Sequence, residues 1–265
     1  MPLNRRLYED YIKKSRLLSY EEVLLLAKSE GYIMMGIHEF MRYVEENGNI
    51  DDGKKILVNR HDIDTSPRVA RKMFNIEKKV YGKEGNSTFY FRDSTTDVEL
   101  INDIESYGYE TGYHYEELAT FEKKKKYKDV NLIRQHLPEI RKQFEKDFIK
   151  YKKITGTNSY SVASHGDFVN TLLGIQSVEI LQDVSLRNKL DIKVEAYDES
   201  IMKYVSIRLA DQVLLENFSS NVKKAITDGM HIIMILTHPR NWEVDFIANN
   251  RENIKRLYQG IKYKL

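Results

Sequence analysis

The segment Arg60-His61-Asp62-Ile63-Asp64 sets two carboxylates directly behind the apolar run Ile56-Leu57-Val58. Side chains alternate between the faces of an extended strand, so Asp62 and Asp64 share one side while His61 and Ile63 take the other. Two like charges at one site push one pKa upward unless a cation holds both ionised. Such a pair suits one carboxylate to general-base work and the other to metal ligation. The plainer reading has Asp64 capping the following helix and Asp62 paired with a nearby arginine. Three histidines also follow strand-like segments: His114 in Gly112-Tyr113-His114-Tyr115-Glu116, His165 in Ser164-His165-Gly166-Asp167, and His238 in Thr237-His238-Pro239. A lone histidine after a strand is usually structural, but four strands ending in ionisable residues are hard to set aside as coincidence. The chain has no cysteine, which removes disulfides, thiolate zinc sites and cysteine nucleophiles together. His, Asp and Glu are left as metal ligands.

The elements that must position these residues alternate along the chain. Strands are expected at 56–58, 87–91, 110–115, 159–164 and 231–236, with shorter ones at 192–196 and 205–208. Between them, Ser66 caps and Pro67 opens a helix through Val69, Met73, Ile76 and Val80, and a second helix covers 98–107. Pro138 opens a long helix with Ile140, Phe144 and Phe148 at four-residue spacing, and further helices are expected at 214–226 and 244–258. Ahead of the first strand, Ser19 with Glu22 reads as a capping box for a helix to about Gly31, residues 38–46 as a second helix, and residues 47–53 as a turn. Alternating strands and helices imply parallel strands, and in a parallel barrel the C-terminal strand ends meet on one face, where active sites are built.

Composition narrows the class. The chain of 265 residues fits one large domain, and 41% hydrophobic with 31% charged residues allows a sizeable core beneath a charged surface. The net charge of +2 separates 42 basic from 40 acidic side chains, too little for a nucleic-acid field. The lysines at 123–126 read as a solvated helix end. The longest apolar run, Ile232-Ile233-Met234-Ile235-Leu236, is far short of the roughly 18 residues of a membrane span. No apolar leader follows the first residues, so no export signal is read and a cytoplasmic location is expected.

In this order, Asp62-Ile63-Asp64, Ser87-Thr88-Phe89-Tyr90-Phe91-Arg92, Glu110-Thr111-Gly112-Tyr113-His114 and Leu236-Thr237-His238 resemble the motifs of the polysaccharide deacetylases, the carbohydrate esterase family 4 or NodB-homology group. The Arg-His-Asp-x-Asp, Gly-Tyr-His-Tyr-Glu, His-Gly and Thr-His-Pro-x-x-Trp elements, the last being Thr237-His238-Pro239-Arg240-Asn241-Trp242, are similar to a branch found in surface-polysaccharide biosynthesis. The resemblance runs from about Val58 to Trp242. It implies a distorted parallel (β/α) barrel of the NodB type in one domain, with residues 1–52 as a helical N-terminal segment. It also implies a hydrolase that removes an N-acyl group, acetyl in the first instance, from an amino sugar.

Carried over by position, the resemblance implies Asp62 as the catalytic base, Asp64 and His114 as ligands of a divalent metal ion, and His238 as the general acid. Zinc is the first expectation; cobalt, nickel and iron suit the same ligands. The family's second metal histidine falls four residues after the first, where this chain has Leu118. His165 is the expected substitute, with Glu116, Glu117 and Asp167 as carboxylate alternatives and Asp167 also near enough in sequence to anchor its second ring nitrogen. The family's Arg-x-Pro-Tyr motif is not visible, so Arg60 or Arg92 is expected to orient the base. Arg60, Arg92, Tyr115, Glu116 and Trp242 form the expected substrate side. The rings of Tyr115 and Trp242 read equally as sugar platforms or as ordinary packing.

A cytoplasmic location shifts the expected substrate from an extracellular polymer to a nucleotide- or lipid-linked amino sugar. Two other functions fit the same residues: a catalytically silent relative that binds a sugar or a partner, suggested by Leu118, and an amidohydrolase acting on a different amide.

Overall fold

The computed structural model describes residues 3–48, 53–211 and 215–264. Residues 49–52 of the turn expected over 47–53 and the helix start expected at Leu214 lie outside the described residues. Eight strands form one parallel sheet: β1 (Ile33–Met35), β2 (Ile56–Ile63), β3 (Thr88–Phe91), β4 (Glu110–Tyr115), β5 (Ser161–Ser164), β6 (Val194–Glu195), β7 (Ile207–Ala210) and β8 (Ile232–Thr237). Their order is β6-β5-β4-β3-β2-β8-β7, with β1 attached to β2. β2 and β8 are buried at every position, as continuous apolar runs in a parallel sheet covered on both faces require. β8 runs along one flank of β2, and the other flank is divided, with β1 beside Ile56, Leu57 and Val58 and β3 beside Arg60 through Ile63.

The helices are α1 (Leu3–Tyr11), α2 (Leu17–Ser29), α3 (Ile37–Asn47), α4 (Pro67–Val80), α5 (Val98–Tyr107), α6 (Glu117–Lys125) and α7 (Val130–Gln135). They continue with α8 (Leu137–Thr155), α9 (Phe168–Leu173), α10 (Val184–Leu190), α11 (Glu199–Met202), α12 (Leu215–Thr227) and α13 (Phe246–Lys264). Two apolar layers result. Leu57, Ile63, Phe89, Phe91, Val162, Ile233 and Ile235 face the helices, and Val58, Tyr90, Ala163, Val194 and Met234 fill the inside of the curl. The row of strands does not close by pairing among the described residues. Instead, the ring of Tyr197, just past β6, lies 4.6 Å from the Arg208 guanidinium on β7 and spans the seam. This is the open, distorted parallel (β/α) barrel expected from the alternating pattern.

At the N-terminal strand ends α3 plugs the barrel with Ile37, Phe40, Met41 and Val44. The Glu110 carboxylate caps this helix by accepting from His38 N (3.0 Å) and Glu39 N (2.8 Å). Gly36 is required beside it, because a Cβ there would come within 2.5 Å of the Glu110 carboxylate carbon. With that end closed, the C-terminal strand ends are left for chemistry.

Two local expectations change. α2 starts at Leu17, ahead of the capping box read at Ser19, because its entry is set by tertiary contacts. Arg16 is held by Glu9 through two 3.0 Å hydrogen bonds, and its backbone N–H reaches the Trp242 carbonyl. The segment read as helical also contributes β1, which is too short for alternation to show. By contrast, Ser66 does accept from Val69 N and cap α4.

A buried carboxylate ties the layers together. Glu77 on α4 accepts from Tyr20 of α2 (2.5 Å), Asn59 of β2 (3.0 Å) and Ser87 before β3 (2.5 Å), and lies 2.7 Å from His61 Nε2. Glu77→Ala strands these partners without an acceptor and should cost ~3 kcal/mol or more, read from the denaturant midpoint. A loss below about 1 kcal/mol would show that the network does not hold the layers.

Candidate metal centre and active site

Alternation fixes which residues face the barrel interior. Arg60 and Asp62 on β2, Gly112 and His114 on β4, and His165 past β5 share the parity of the inner layer. The parallel register brings them to one level. His114 stands opposite Ala163, and His165 N extends that pairing by bonding to the Tyr115 carbonyl at 2.8 Å. Across β2, His61 pairs with Thr237, so one further step sets His238 beside Asp62.

Asp64, His114 and His165 converge. Asp64 Oδ1 lies 3.3 Å from His114 Nε2 and 3.4 Å from His165 Nε2, and the two rings meet edge to face at 5.2 Å. One ligand atom from each of the three residues falls within 4.8 Å of the others. His114 Nδ1 is 2.9 Å from the Ala163 carbonyl, which fixes the proton on that nitrogen and leaves the Nε2 lone pair facing the carboxylate. Asp64 Oδ1 is buried with no hydrogen-bond partner of acceptable geometry. A carboxylate oxygen and imidazole lone pairs aimed at one point lack a positive charge between them, and a divalent cation fits that need. Burial opposes ionisation of Asp64, but with protons on the imidazoles in place of an ion, His165 first and then His114 outweigh it and hold the carboxyl well below its usual range.

Asp62 is held differently. Arg60 forks onto both its oxygens, Nε to Oδ1 and Nη2 to Oδ2, each at 2.8 Å. The guanidinium is almost wholly buried, 4.4 Å from the Tyr197 ring and 5.3 Å from that of Tyr90. Tyr90 reaches across the interior only because residue 112 is glycine, since a Cβ there would come within 2.4 Å of its ring. Burial raises the Asp62 pKa, but Arg60 and then His114 more than offset this, so the carboxylate is ionised.

His238 has the opposite charge state. Its Nδ1 lies 2.6 Å from Asp211 Oδ1, and its backbone N–H donates to Asp211 Oδ2 at 2.8 Å. Trp242 Nε1 donates to that second oxygen at 3.0 Å. Burial favours neutral imidazole, yet Asp211 first, then Asp64 and Asp62, reverse the balance and lift the His238 pKa to about 9.

The other expected residues are placed as follows. Arg60, and not Arg92, grips Asp62. Arg92 donates to Glu116 Oε2 (2.6 Å) and to the Asp64 carbonyl (3.2 Å), fixing the loop after β2. Glu116 also lies 3.5 Å from His165 Nδ1, a nitrogen with no hydrogen-bond partner, so the anchor expected from Asp167 is not formed. Asp167 instead caps α9 through Val169 N and accepts from Lys123 at 2.7 Å. Glu116, His165 and Asp167 also converge, but both carboxylates already have a basic partner. Glu117 points outward to the Tyr113 hydroxyl (2.6 Å), with its pKa pushed up to about 8 by burial.

Tyr115 and Trp242 are corrected as sugar platforms. Tyr115, adjacent to His114, takes the other face of β4 and is fully buried with its hydroxyl toward Glu195. Trp242 is buried against Tyr20 and Phe218. Leu118 lies in the core, away from any gap in the cluster. Asp211 escaped the sequence reading because its strand was ended at 208, although a carboxylate directly after a strand is the same signal that marked Asp62.

No family model matches the chain, and no curated protein does. Among solved structures, a CE4 family pseudoenzyme from Bacillus anthracis is similar over 77% of this chain and 62% of its own, at 14% identity and a TM-score of 0.43. A mutant of that protein with restored enzymatic activity aligns over 77% of this chain and 64% of its own, at 14% identity and a TM-score of 0.42. The chain thus spans less than two thirds of these first relatives. Peptidoglycan deacetylase PdaC from Bacillus subtilis aligns over 80% of this chain and 98% of its own, at 13% identity and a TM-score of 0.33.

The convergence carries its own test. Asp64→Asn and His165→Ala should fold and retain little divalent metal by elemental analysis, whereas Glu116→Gln should retain it. A full metal complement in purified His165→Ala would remove that residue from the cluster.

Proposed function

We propose that the protein is a metal-dependent amidohydrolase that removes an acyl group, acetyl in the first instance, from a nucleotide- or lipid-linked amino sugar. The observation that carries this reading is that a carboxylate gripped by a guanidinium and an imidazole gripped by a carboxylate flank one metal-ligand cluster. Arg60 keeps Asp62 ionised, and Asp211 keeps His238 protonated, with Asp64, His114 and His165 between them. Hydrolysis of an amide needs that combination, because a base must take a proton from water and an acid must give one to a poor leaving group.

Asp64, His114 and His165 would hold the ion, zinc as first choice, with the one-carboxylate, two-imidazole set that leaves coordination positions open. A divalent cation supplies Lewis acidity toward an amide carbonyl and lowers the pKa of water. Asp62 takes the proton of the attacking water, and the two hydrogen bonds from Arg60 fix which way its oxygens point. His238 gives the departing amine its proton from Nε2, since Nδ1 is engaged by Asp211. The silent alternative drew on Leu118, and the structure sets His165 against Asp64 while Leu118 packs in the core.

Release of acetate from N-acetylated amino sugars by metal-loaded protein, lost on chelation, tests the proposal. Stoichiometric metal and measurable sugar binding without release of any acyl group would favour the silent alternative. Asp62→Asn should keep the metal and lose ~10²-fold or more in turnover, because an amide cannot accept the proton. Wild-type turnover in that variant would exclude Asp62 as the base.

The His238 proton sets the alkaline limit. Activity needs the imidazolium, so the rate should fall as pH rises through about 9. Asp211→Asn removes the charge that raises this pKa, so the limb should move to lower pH; a limb left in place would dissociate it from His238. His238→Ala should slow amide hydrolysis far more than hydrolysis of an activated ester, whose leaving group needs no proton.

A further inference from the structure

The last helix is amphipathic the wrong way round. Its inward residues are polar: Asn249 donates to the Asp10 carbonyl, Asn253 to the Asp10 carboxylate and the Tyr11 hydroxyl, and Glu252 pairs with Arg256 and Arg92. Its outward residues are apolar, with Ile247 80% exposed, Ile254 68%, Leu257 66%, Tyr258 65% and Ile261 53%. At ~100° per residue these five fall within one arc of about 100°, a continuous stripe along α13. Arg251, Lys255 and Lys262 flank it on one side. Glu252, the only acid in α13, is buried, so the outward face carries no carboxylate of its own.

The basic flank continues into the next element. Lys255 and Lys262 line a groove of about 760 Å³ together with the lysines at 123–126 that close α6. Lys123 is held there by Asp167, and the carboxylates of the groove, Asp93, Glu116, Glu117, Glu139 and Asp147, lie on its floor and opposite wall, away from α13. On the inward side of α13, Phe168 of α9 meets Tyr263 edge-on at 5.6 Å and so seats the helix with its stripe outward.

We propose that this face docks on an anionic membrane surface, with α13 lying in the interfacial plane. Exposed Ile, Leu and Tyr on one arc beside Lys and Arg form the pattern by which a helix sinks its apolar side below the headgroups and sets its cations among them. The charge commits the face to anionic headgroups: Arg251, Lys255 and Lys262 flank the stripe, and α13 offers no exposed carboxylate to meet the same cations of a second copy.

The basic groove reaches the barrel mouth, since Glu116 lines it and receives Arg92, which holds the Asp64 carbonyl. The inward side of α13 faces that mouth through Glu252, 3.5 Å from Arg92, so a docked molecule holds its site about one helix diameter, roughly 10 Å, from the headgroups. If the amidohydrolase reading holds, the acylated sugar is one carried by a lipid; the docking itself does not depend on that reading.

Co-sedimentation of the full chain with vesicles, in the absence of any sugar, provides the test. Vesicles of equal phosphatidylglycerol and phosphatidylcholine should bind ~10-fold more protein than phosphatidylcholine alone, with binding falling as salt rises. The triple change Ile254→Glu, Leu257→Glu, Ile261→Glu and the separate pair Lys255→Glu, Lys262→Glu should each remove most of it. Both variants should keep the wild-type thermal midpoint and metal content. Equal binding to neutral and anionic vesicles, or wild-type binding by folded variants, would overturn the proposal. So would a concentration-dependent dimer that the triple variant breaks while no vesicles are bound, since the face would then be a contact between copies.

Discussion

Arg60 carries a permanent charge into the barrel, and the arrangement of the site answers to it. A guanidinium buried this deeply is tolerable only with a counter-charge and full hydrogen bonding, because removal from water costs several kcal/mol per ion. Asp62, on the same strand and same face, supplies the charge; Tyr197 and Tyr90 supply aromatic rings, and Gly112 makes room for the second of them. The pair defines the orientation and ionisation of one carboxylate while leaving its neighbour, Asp64, to the imidazoles. The like-charge conflict that two close aspartates create is thereby split into two separately neutralised halves.

The same division recurs across β8. His238 is governed by Asp211, a carboxylate on the neighbouring strand end that also receives the indole of Trp242. Asp62 and His238 thus each have a dedicated partner, and the three metal-ligand candidates have one another, the Ala163 carbonyl and, no nearer than 3.5 Å, Asp62 and Glu116. Polar side chains placed this way are costly wherever a partner is missing, which is why the unpartnered oxygen of Asp64 is informative.

Much of this was legible in the sequence because strand parity is strict. Once β2 was placed, Asp62 and Asp64 had to share a face, and the parallel order brought His114, His165 and His238 to the same end. The same rule, applied one residue further, would have turned Tyr115 away from the site. Trp242 lay beyond any strand and gave no parity to use. Contacts between distant segments were not legible either: the Arg16 entry to α2, the Glu110 cap on α3 and the choice of Arg60 over Arg92 are decided by tertiary neighbours. Asp211 follows β7 directly, but Arg208 interrupts the apolar pattern two residues before the strand ends at Ala210, so its placement was not legible.

The seam between β6 and β7 gives the barrel a weak side. β6 is two residues long, and among the described residues β6 and β7 do not pair with each other, the Tyr197 ring bridging them. Thermal opening of such a sheet starts where ladder bonds are fewest, so amide protons here should exchange ahead of those in β2 and β8. Tyr197 is also one wall of the guanidinium pocket and accepts from Arg60 Nη2 at 3.2 Å. Asp62 is therefore tuned, through Arg60, by the edge of the sheet with the fewest ladder bonds, and ligands that clasp the two edges together would stiffen it without touching it.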